Sequence, residues 1–449
     1  MRFKTGLCAV TLACAALLLA ACGEGGGTVS APTEPLTEPP SELVQPTQAD
    51  PSTEPEEVVK TATATIAATG DFLMHVPVIN TGWDAVTGEY NFESMFLYFA
   101  PYVSRADYAA ANLETTLCGL ENGYPYRGFP RFNCPDGIVD SLKAAGFDGL
   151  LTANNHSFDT GETGFFRTLS VIDDRGLDRL GTNAELGEKK YLVKTLNGIS
   201  VGMTCFTYET EDNDPAIKSL NVLPMTEKTS ALINTFSYDR KEDFYAEISA
   251  QLKSMAHDGA EASVVFLHWG HEYWQEVNSH QKEMAQRLCD LGVDVIIGGH
   301  PHVVQPVELL TSRNDPAHQT VCLYSMGNAV SNQRTSEIPT EEGHTEDGVL
   351  FQVTFAKYSD GTVRLEEVDL LPTWVNLTIG AESGKRAYEI IPLDCDVEDW
   401  QTAFTLTDSE LAQAQKSLER TTAIVGEGLE EIKRALQDRL TPAEHGKGA

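Results

Sequence analysis

The chain has 449 residues, with 66 acidic side chains against 32 basic ones and a formal charge of −34 at pH 7. That excess argues against nucleic acid as a partner, since a polyanion would be repelled along its whole length. An anionic substrate would be repelled too, unless metal ions or a local basic patch reverse the sign of the field where it lands.

In chain order, Arg2 and Lys4 open an apolar run that ends Leu19-Ala20-Ala21-Cys22 and gives way abruptly to Gly and Glu. This is the order of a bacterial lipoprotein signal: the small pair before Cys22 admits a peptidase, and the Cys22 thiol takes the lipid. About 15 apolar residues are fewer than the ~20 a membrane span needs. Residues 1–21 are therefore expected to be removed, leaving a mature chain anchored through Cys22 on the extracytoplasmic face of the bacterial cell membrane. Positions 22–57 are rich in Pro, Thr, Glu and Ser and poor in large apolar residues, which predicts a disordered acidic tether with a mean reach of roughly 30 Å.

The next segment, 58–375, reads as one α/β domain. Apolar runs at 63–68, 108–112, 149–152, 199–206, 263–268, 293–297 and 321–325 predict strands. Apolar residues spaced three and four apart predict helices at 136–145, 163–175, 244–257 and 280–291. Strands alternating with helices give the α/β class. Asp360-Gly361 predicts a hairpin between 348–356 and 362–371, and the polar stretch 209–240 reads as an insertion or lid. Residues 376–449 form an extension that becomes helical near 409, read as two amphipathic stretches. Of the cysteines beyond the signal, Cys118 and Cys134 flank a Gly-, Tyr- and Pro-rich loop and are the first candidates for a disulfide. Cys205, Cys289 and Cys322 lie in apolar contexts that suit buried free thiols. Inside the Cys118–Cys134 loop, Arg127 and Arg131 stand among Tyr124, Tyr126 and Phe129, a cluster able to meet an anionic polymer.

The chemistry lies where the strands end. Successive predicted strands run into Gly70-Asp71 with His75 nearby, Asn112-Leu113-Glu114, Asn154-Asn155-His156 with Asp159, His268-Trp269-Gly270 with Glu272, Gly299-His300-Pro301-His302 with Gln305, and Gly327-Asn328. Each piece alone is an ordinary turn or cap, but ligands in α/β sheets gather at the carboxyl ends of strands. Imidazole and carboxylate donors without thiolate suit Mn, Fe or Zn. Two such ions ~3.5–4 Å apart can share a carboxylate and activate a water.

This series resembles the CapA family of poly-gamma-glutamate capsule proteins, and through it the calcineurin-like metallophosphoesterases. The resemblance implies a four-layer α-β-β-α sandwich, two mixed sheets flanked by helices, with divalent metal ions, two in number, as cofactors. It assigns Asp71, Glu114, Asn155, His268, His300 and His302 to the metals, with Asp71 and His302 on the first and His268 and His300 on the second. His156 becomes the proton donor, and Asp159 and Glu272 join it as catalytic candidates. His75, Asn112, Asn154, Trp269, Gln305 and Asn328 are left as supporting or substrate contacts. Leu73 stands where the superfamily has a metal-binding His, and Glu114 where it has Asp. The implied role is synthesis, export or anchoring of polyglutamate, by hydrolysis or transfer on the polymer or on a cell-wall linkage, beside a membrane synthase complex. An extracellular phosphoesterase and a non-catalytic polymer-binding scaffold are the alternatives.

Overall fold

A computed structural model describes residues 57–440 except 211–216, 335–343 and 380–384. The expected signal, Cys22 and nearly all of the tether lie outside the described residues, as does part of the 209–240 insertion. The chain builds half of one sheet, then a second sheet, then returns to finish the first. Strands β1 (Lys60–Phe72), β2 (Tyr108–Leu113), β3 (Gly149–Leu151) and β4 (Asp178–Leu180) lie parallel in that order. The second sheet is made by β5 (Leu192–Leu196), β6 (Ile199–Tyr208), β7 (Thr235–Phe236), β8 (Ala262–His268), β9 (Val295–Gly299), β10 (Val307–Thr311) and β11 (Gln319–Leu323), in the order β7-β6-β8-β9-β11-β10 with β5 against β6. The chain re-enters the first sheet with β12 (Asn328–Val330) beside the end of β1, and β13 (Asp347–Tyr358), β14 (Val363–Ile379) and β15 (Arg386–Pro392) extend it antiparallel on the other side of β1.

Strand alternation sorts the side chains into layers. Ala64, Ile66 and Ala68 of β1 face the second sheet and pack with Met203, Val264, Phe266 and Ile297, small against large. Ala67, Ala109 and Ala111 face outward onto helix α1 (Gly137–Ala144) through Ile138 and Leu142. Helix α2 (Gly161–Asp174) packs beside them, its Ile172 on the outer layer and its Phe165 in the layer between the sheets. On the far side, Val265 and Leu267 of β8 face helices α3 (Lys241–His257) and α4 (Ser279–Asp290) through Ile248 and Leu288. The four expected layers are present. Every predicted strand and helix is found within a few residues, whereas β4, β5, β7, β10, β12 and β15 were not foreseen.

Two expectations change. Strand β14 runs through position 375, where the domain was expected to end, and β15 adds a further strand to the same sheet. The two helical stretches beyond 409 are one helix, α5 (Asp408–Leu440). Its Val425, Ile432 and Leu436 join the layer between the sheets. Arg420 and Ser417 clamp the buried Asp347 carboxylate at 2.7 and 2.6 Å. At Gly428 the backbone of α5 lies tight against β10, since a Cβ there would lie 1.9 Å from the Val307 carbonyl oxygen. Gly428→Ala would gain up to about 1 kcal/mol of helix propensity, but overpacking costs about 1–3 kcal/mol and should win. A lowered urea midpoint is expected, and an unchanged or raised one would contradict this contact.

Candidate metal centre

The parallel strands of both sheets deliver their carboxyl ends to one place. Register sets the polar residues of the first sheet side by side, with Asp71 of β1 opposite Asn112 of β2 and Asn328 of β12. Gly70 is an extra residue in β1, between Thr69 (opposite Ala111) and Asp71 (opposite Asn112), and it lets β1 meet the chain at Gly327, whose oxygen a Cβ at 70 would strike at 1.9 Å. In the second sheet His268 ends β8 opposite Gly299, the last residue of β9, and His300 and His302 follow. A Cβ on Gly299 would press on Asp71 Oδ1 at 3.0 Å, so glycine there permits the close approach. His300 and His302 hold positive φ values of 94° and 59°, sparsely populated for residues with side chains, which turns both imidazoles inward.

Asp71, Glu114, Asn155, His156, His268, His300 and His302 are all at most 4 % exposed. Water cannot solvate charge there, so each polar atom needs a partner. Asp71 Oδ1 accepts from Asn112 Nδ2 at 2.7 Å, and Oδ2 accepts from the His300 backbone N–H at 3.2 Å and His302 Nδ1 at 3.0 Å. Asn154 donates to Asn112 Oδ1 at 3.0 Å and to the Leu113 carbonyl at 2.9 Å, fixing the turn that carries Asn155 and His156. Asn155 Oδ1 lies 2.9 Å from His268 Nε2. Asn328 Oδ1 lies 3.1 Å from His302 Nδ1.

Two buried atoms stay without a partner, Glu114 Oε1 and His300 Nδ1. Around Glu114 Oε1 stand the Nε2 atoms of His268, His302 and His156, at 3.5, 3.9 and 4.0 Å. An anionic oxygen sealed from water and ringed by imidazoles is an arrangement that a cation would complete. Potential ligand atoms come within 4.8 Å of one another in two groups, Glu114 with His300 and His302, and Asp71 with Glu114 and His268. Glu114 belongs to both, the place of a bridging ligand. In these groups His302 goes with His300 and His268 with Asp71, while His302 Nδ1 also lies 3.0 Å from Asp71 Oδ2, so the ligands expected on the first ion stay adjacent.

Electrostatics follow from this crowding. Burial opposes the Asp71 charge, yet the His302 bond, the charges of His302 and His268 and the Asn112 amide hold its carboxyl below the ordinary value. Burial likewise opposes the His302 cation, but Glu114 and Asp71 outweigh it and raise its pKa to about 9. His300 is driven well below the ordinary histidine value by burial and by its imidazole neighbours, so it is neutral.

Beside this cluster, burial disfavours the charged form of His156, but the Asp159 bond and the charges of Asp159 and Glu114 raise its pKa. His156 Nδ1 donates to Asp159 Oδ2 at 2.7 Å, which leaves Nε2 facing Glu114. Asp159 is held in turn by the Phe132 backbone N–H at 2.6 Å and by Asn221 Nδ2 at 2.8 Å. Phe132 sets its ring edge-on to His156 at 4.7 Å. Tyr208 covers His300 and His268 with ring centroids 4.7 and 6.4 Å away, and Tyr273 covers His302 at 5.9 Å.

Asn221, Phe132, Tyr208 and Tyr273 carried no sequence signal of this role. Asn221 and Val222, both left-handed (φ 48° and 56°), make the tight turn between two-residue strands at 219–220 and 223–224, inside the stretch read as a lid. Several expected residues sit elsewhere. His75 Nδ1 lies 3.2 Å from the Leu73 carbonyl and 3.4 Å from the Asn332 N–H, and His75 is in neither ligand group; burial brings its pKa down to about 4. It therefore stands beside the cluster and not among the grouped ligand atoms. Trp269 is fully buried against Tyr324 and donates to the Tyr324 carbonyl at 2.9 Å, so it packs the helix side of β8 and is not a substrate contact. Gln305 secures the 270–276 loop by donating to the Trp274 carbonyl at 2.8 Å. Glu272 is exposed on that loop, and its charge acts on Tyr208, Tyr273 and His302. Cys118 and Cys134 are separate buried thiols. The Cys118 side chain faces Thr160 and Gly164 at the start of α2, whereas Cys134 is buried with Ile138 under the first sheet, so the expected disulfide is corrected to two free cysteines.

These shifts predict how the metal-free protein responds to pH. His302 is bound more tightly to its proton when folded, so its contribution is complete below about pH 6.5 and is lost as pH rises through about 9. The Asp71 contribution has the opposite sense, present above the ordinary carboxyl pKa and lost as pH falls below it. Chelator-treated protein should lose on the order of 1–3 kcal/mol between about pH 6.5 and 9 in urea titrations, and His302→Gln should flatten that fall. An equally steep fall in the variant would contradict the His302 pairing.

Residues 65–333, more than half of the chain, match the family described as bacterial capsule synthesis protein PGA_cap. The chain is similar to the PGA biosynthesis protein CapA of Bacillus subtilis (strain 168), 28% identical over 290 residues that cover 64% of this chain and 68% of that one. It is similar also to the capsule biosynthesis protein CapA of Bacillus anthracis, 27% identical over 292 residues covering 63% of this chain and 64%, just under two thirds, of that one. Among solved structures, the calcineurin-like phosphoesterase YfkN of Bacillus subtilis is 14% identical and aligns over 80% of this chain and 98% of its own, at a TM-score of 0.39. Asp71, Glu114, Asn155, His156, His268, His300 and His302 all fall within the matched segment, and the chain belongs to the PGA_cap family of bacterial capsule synthesis proteins.

Proposed function

We propose that this chain is a lipid-anchored extracytoplasmic protein that processes poly-gamma-glutamate, by hydrolysis or transfer on the polymer or its cell-wall linkage, at a site holding two divalent metal ions. The observation that carries the metal half of this reading is the partnerless Glu114 Oε1 among three imidazole nitrogens, beside the equally partnerless His300 Nδ1. Asp71, Glu114, Asn155, His268, His300 and His302 would hold the ions, with Glu114 shared between them. The donors are nitrogen and oxygen without sulfur, which suits Mn, Fe or Zn. When bound, such ions supply an activated water and positive charge for developing oxygen anions. Family membership supports capsule polymer as the substrate, and the Leu-Ala-Ala-Cys22 signal supports a place beside a membrane synthesis complex.

The remaining work falls to residues that bind no metal. The Nδ1–H of His156 stays on Asp159, whose charge favours the doubly protonated ring, so Nε2, the atom turned toward the site, can give its own proton to a leaving group. Asp159 sets the tautomer and is itself fixed by Phe132 and Asn221. Tyr208 and Tyr273 cover the imidazoles and keep bulk water from them.

Metal analysis and polymer assays test the two halves separately. His300→Ala should lose bound metal and more than about 100-fold of polyglutamate processing, whereas an unchanged metal content and activity would refute the centre. His156→Gln should keep its metal and lose about 10²–10⁴-fold in kcat. Turnover of an aryl phosphate with no effect on polyglutamate would replace this reading with that of an extracellular phosphoesterase.

A further inference from the structure

The segment 127–132 forms a wall beside His156. Phe132 touches His156 and donates its N–H to Asp159, and the Pro130 carbonyl accepts from Asn221 at 2.9 Å. Gly128 presses on His75, whose Cα a Cβ at 128 would meet at 2.8 Å. Between these anchored residues stands Arg131, exposed, while Arg127 lies partly buried with its Nε sealed and without an acceptor. Glu121 is the only carboxylate between Cys118 and Cys134, and it is already tied to Arg167 at 2.6 Å. Among the described residues neither Arg127 nor Arg131 makes an ion pair, although Arg167, Arg175, Arg179 and Arg420 all do. In a chain with 66 acidic and 32 basic side chains, two unneutralised arginines beside the proton donor make a local reversal of sign. Two exposed apolar side chains accompany them, Phe129 at 73 % and Val222 at 74 %.

We infer that this wall is a substrate subsite in which Arg131 and Arg127 bind carboxylate groups of an anionic polymer, while Phe129 and Val222 lie along its methylenes. Guanidinium matches carboxylate through paired N–H bonds, and the apolar neighbours suit a chain that alternates charge with short aliphatic links. The subsite overcomes the repulsion that the net charge of −34 would impose on such a substrate, and through Phe132 it adjoins His156. This inference rests on the reading that the substrate is polyglutamate, and it deepens that reading by naming the residues that recognise it.

The test is equilibrium binding of a fluorescent gamma-linked glutamate oligomer to the full chain and to Arg131→Gln, at two salt concentrations. Arg131 is exposed, so the variant should fold, which circular dichroism would check. The expected result is binding about tenfold weaker in the variant, with a shallower loss of affinity on adding salt, and partial recovery in Arg131→Lys. Equal affinity and equal salt dependence in wild type and Arg131→Gln would overturn the subsite, as would a wild type that does not bind the oligomer. Arg131-dependent binding without any processing would uphold the subsite and bring down the processing reading alone.

Discussion

One carboxylate governs this molecule. Glu114 is fully buried, and its Oε1 lies within 4 Å of three imidazole nitrogens without a hydrogen bond of its own. Burying a charge in that way costs several kcal/mol unless opposite charge is brought to it. In the metal-free chain the compensation comes from protons: His302 is raised to about 9 and His156 is raised too, and both imidazoles point at Glu114. Divalent cations would do the same work better, and left-handed residues at His300 and His302 and a bulge at Gly70 bring side chains of two sheets to that oxygen.

The site therefore depends on the two sheets being held in one register, and distant parts of the chain contribute. Strand β12 returns from the second sheet to place Asn328 opposite Asp71. Helix α5 packs on strands of both sheets, and its Arg420 and Ser417 satisfy Asp347, the residue whose backbone oxygen faces Gly327. The C-terminal helix lies outside the segment matched by the family, yet it holds the strands on which the centre stands.

Much of this was legible in the sequence, because apolar runs that end in Gly and a metal-capable side chain carry both the strand and its purpose. What was not legible has physical causes. Trp269 was read with the site, yet side chains alternate along a strand, and a residue next to the inward His268 belongs on the helix side with Tyr324. Two helical stretches were expected where one helix runs, although two glycines at 426 and 428 weaken it, because Gly428 allows the contact with Val307. Asn221 comes from an irregular insertion, and only the folded chain brings it to Asp159 across 62 positions. The disulfide expectation weighed loop composition and compartment, whereas the side-chain directions of Cys118 and Cys134 are set by α2 and by the packing under the first sheet. Strands as short as β4 and β12, three residues each, are too brief to show alternation.

The central claim is that protons on His302 and His156 occupy, in the metal-free chain, the electrostatic role of cations at Glu114. Calorimetric titration of Mn(II) or Zn(II) into chelator-treated protein near pH 7, repeated in buffers of different ionisation enthalpy, measures this directly. Saturable binding is expected, with an observed heat that varies with the buffer because protons are released as metal binds. Absence of saturable binding, or binding whose heat is the same in every buffer, would contradict it.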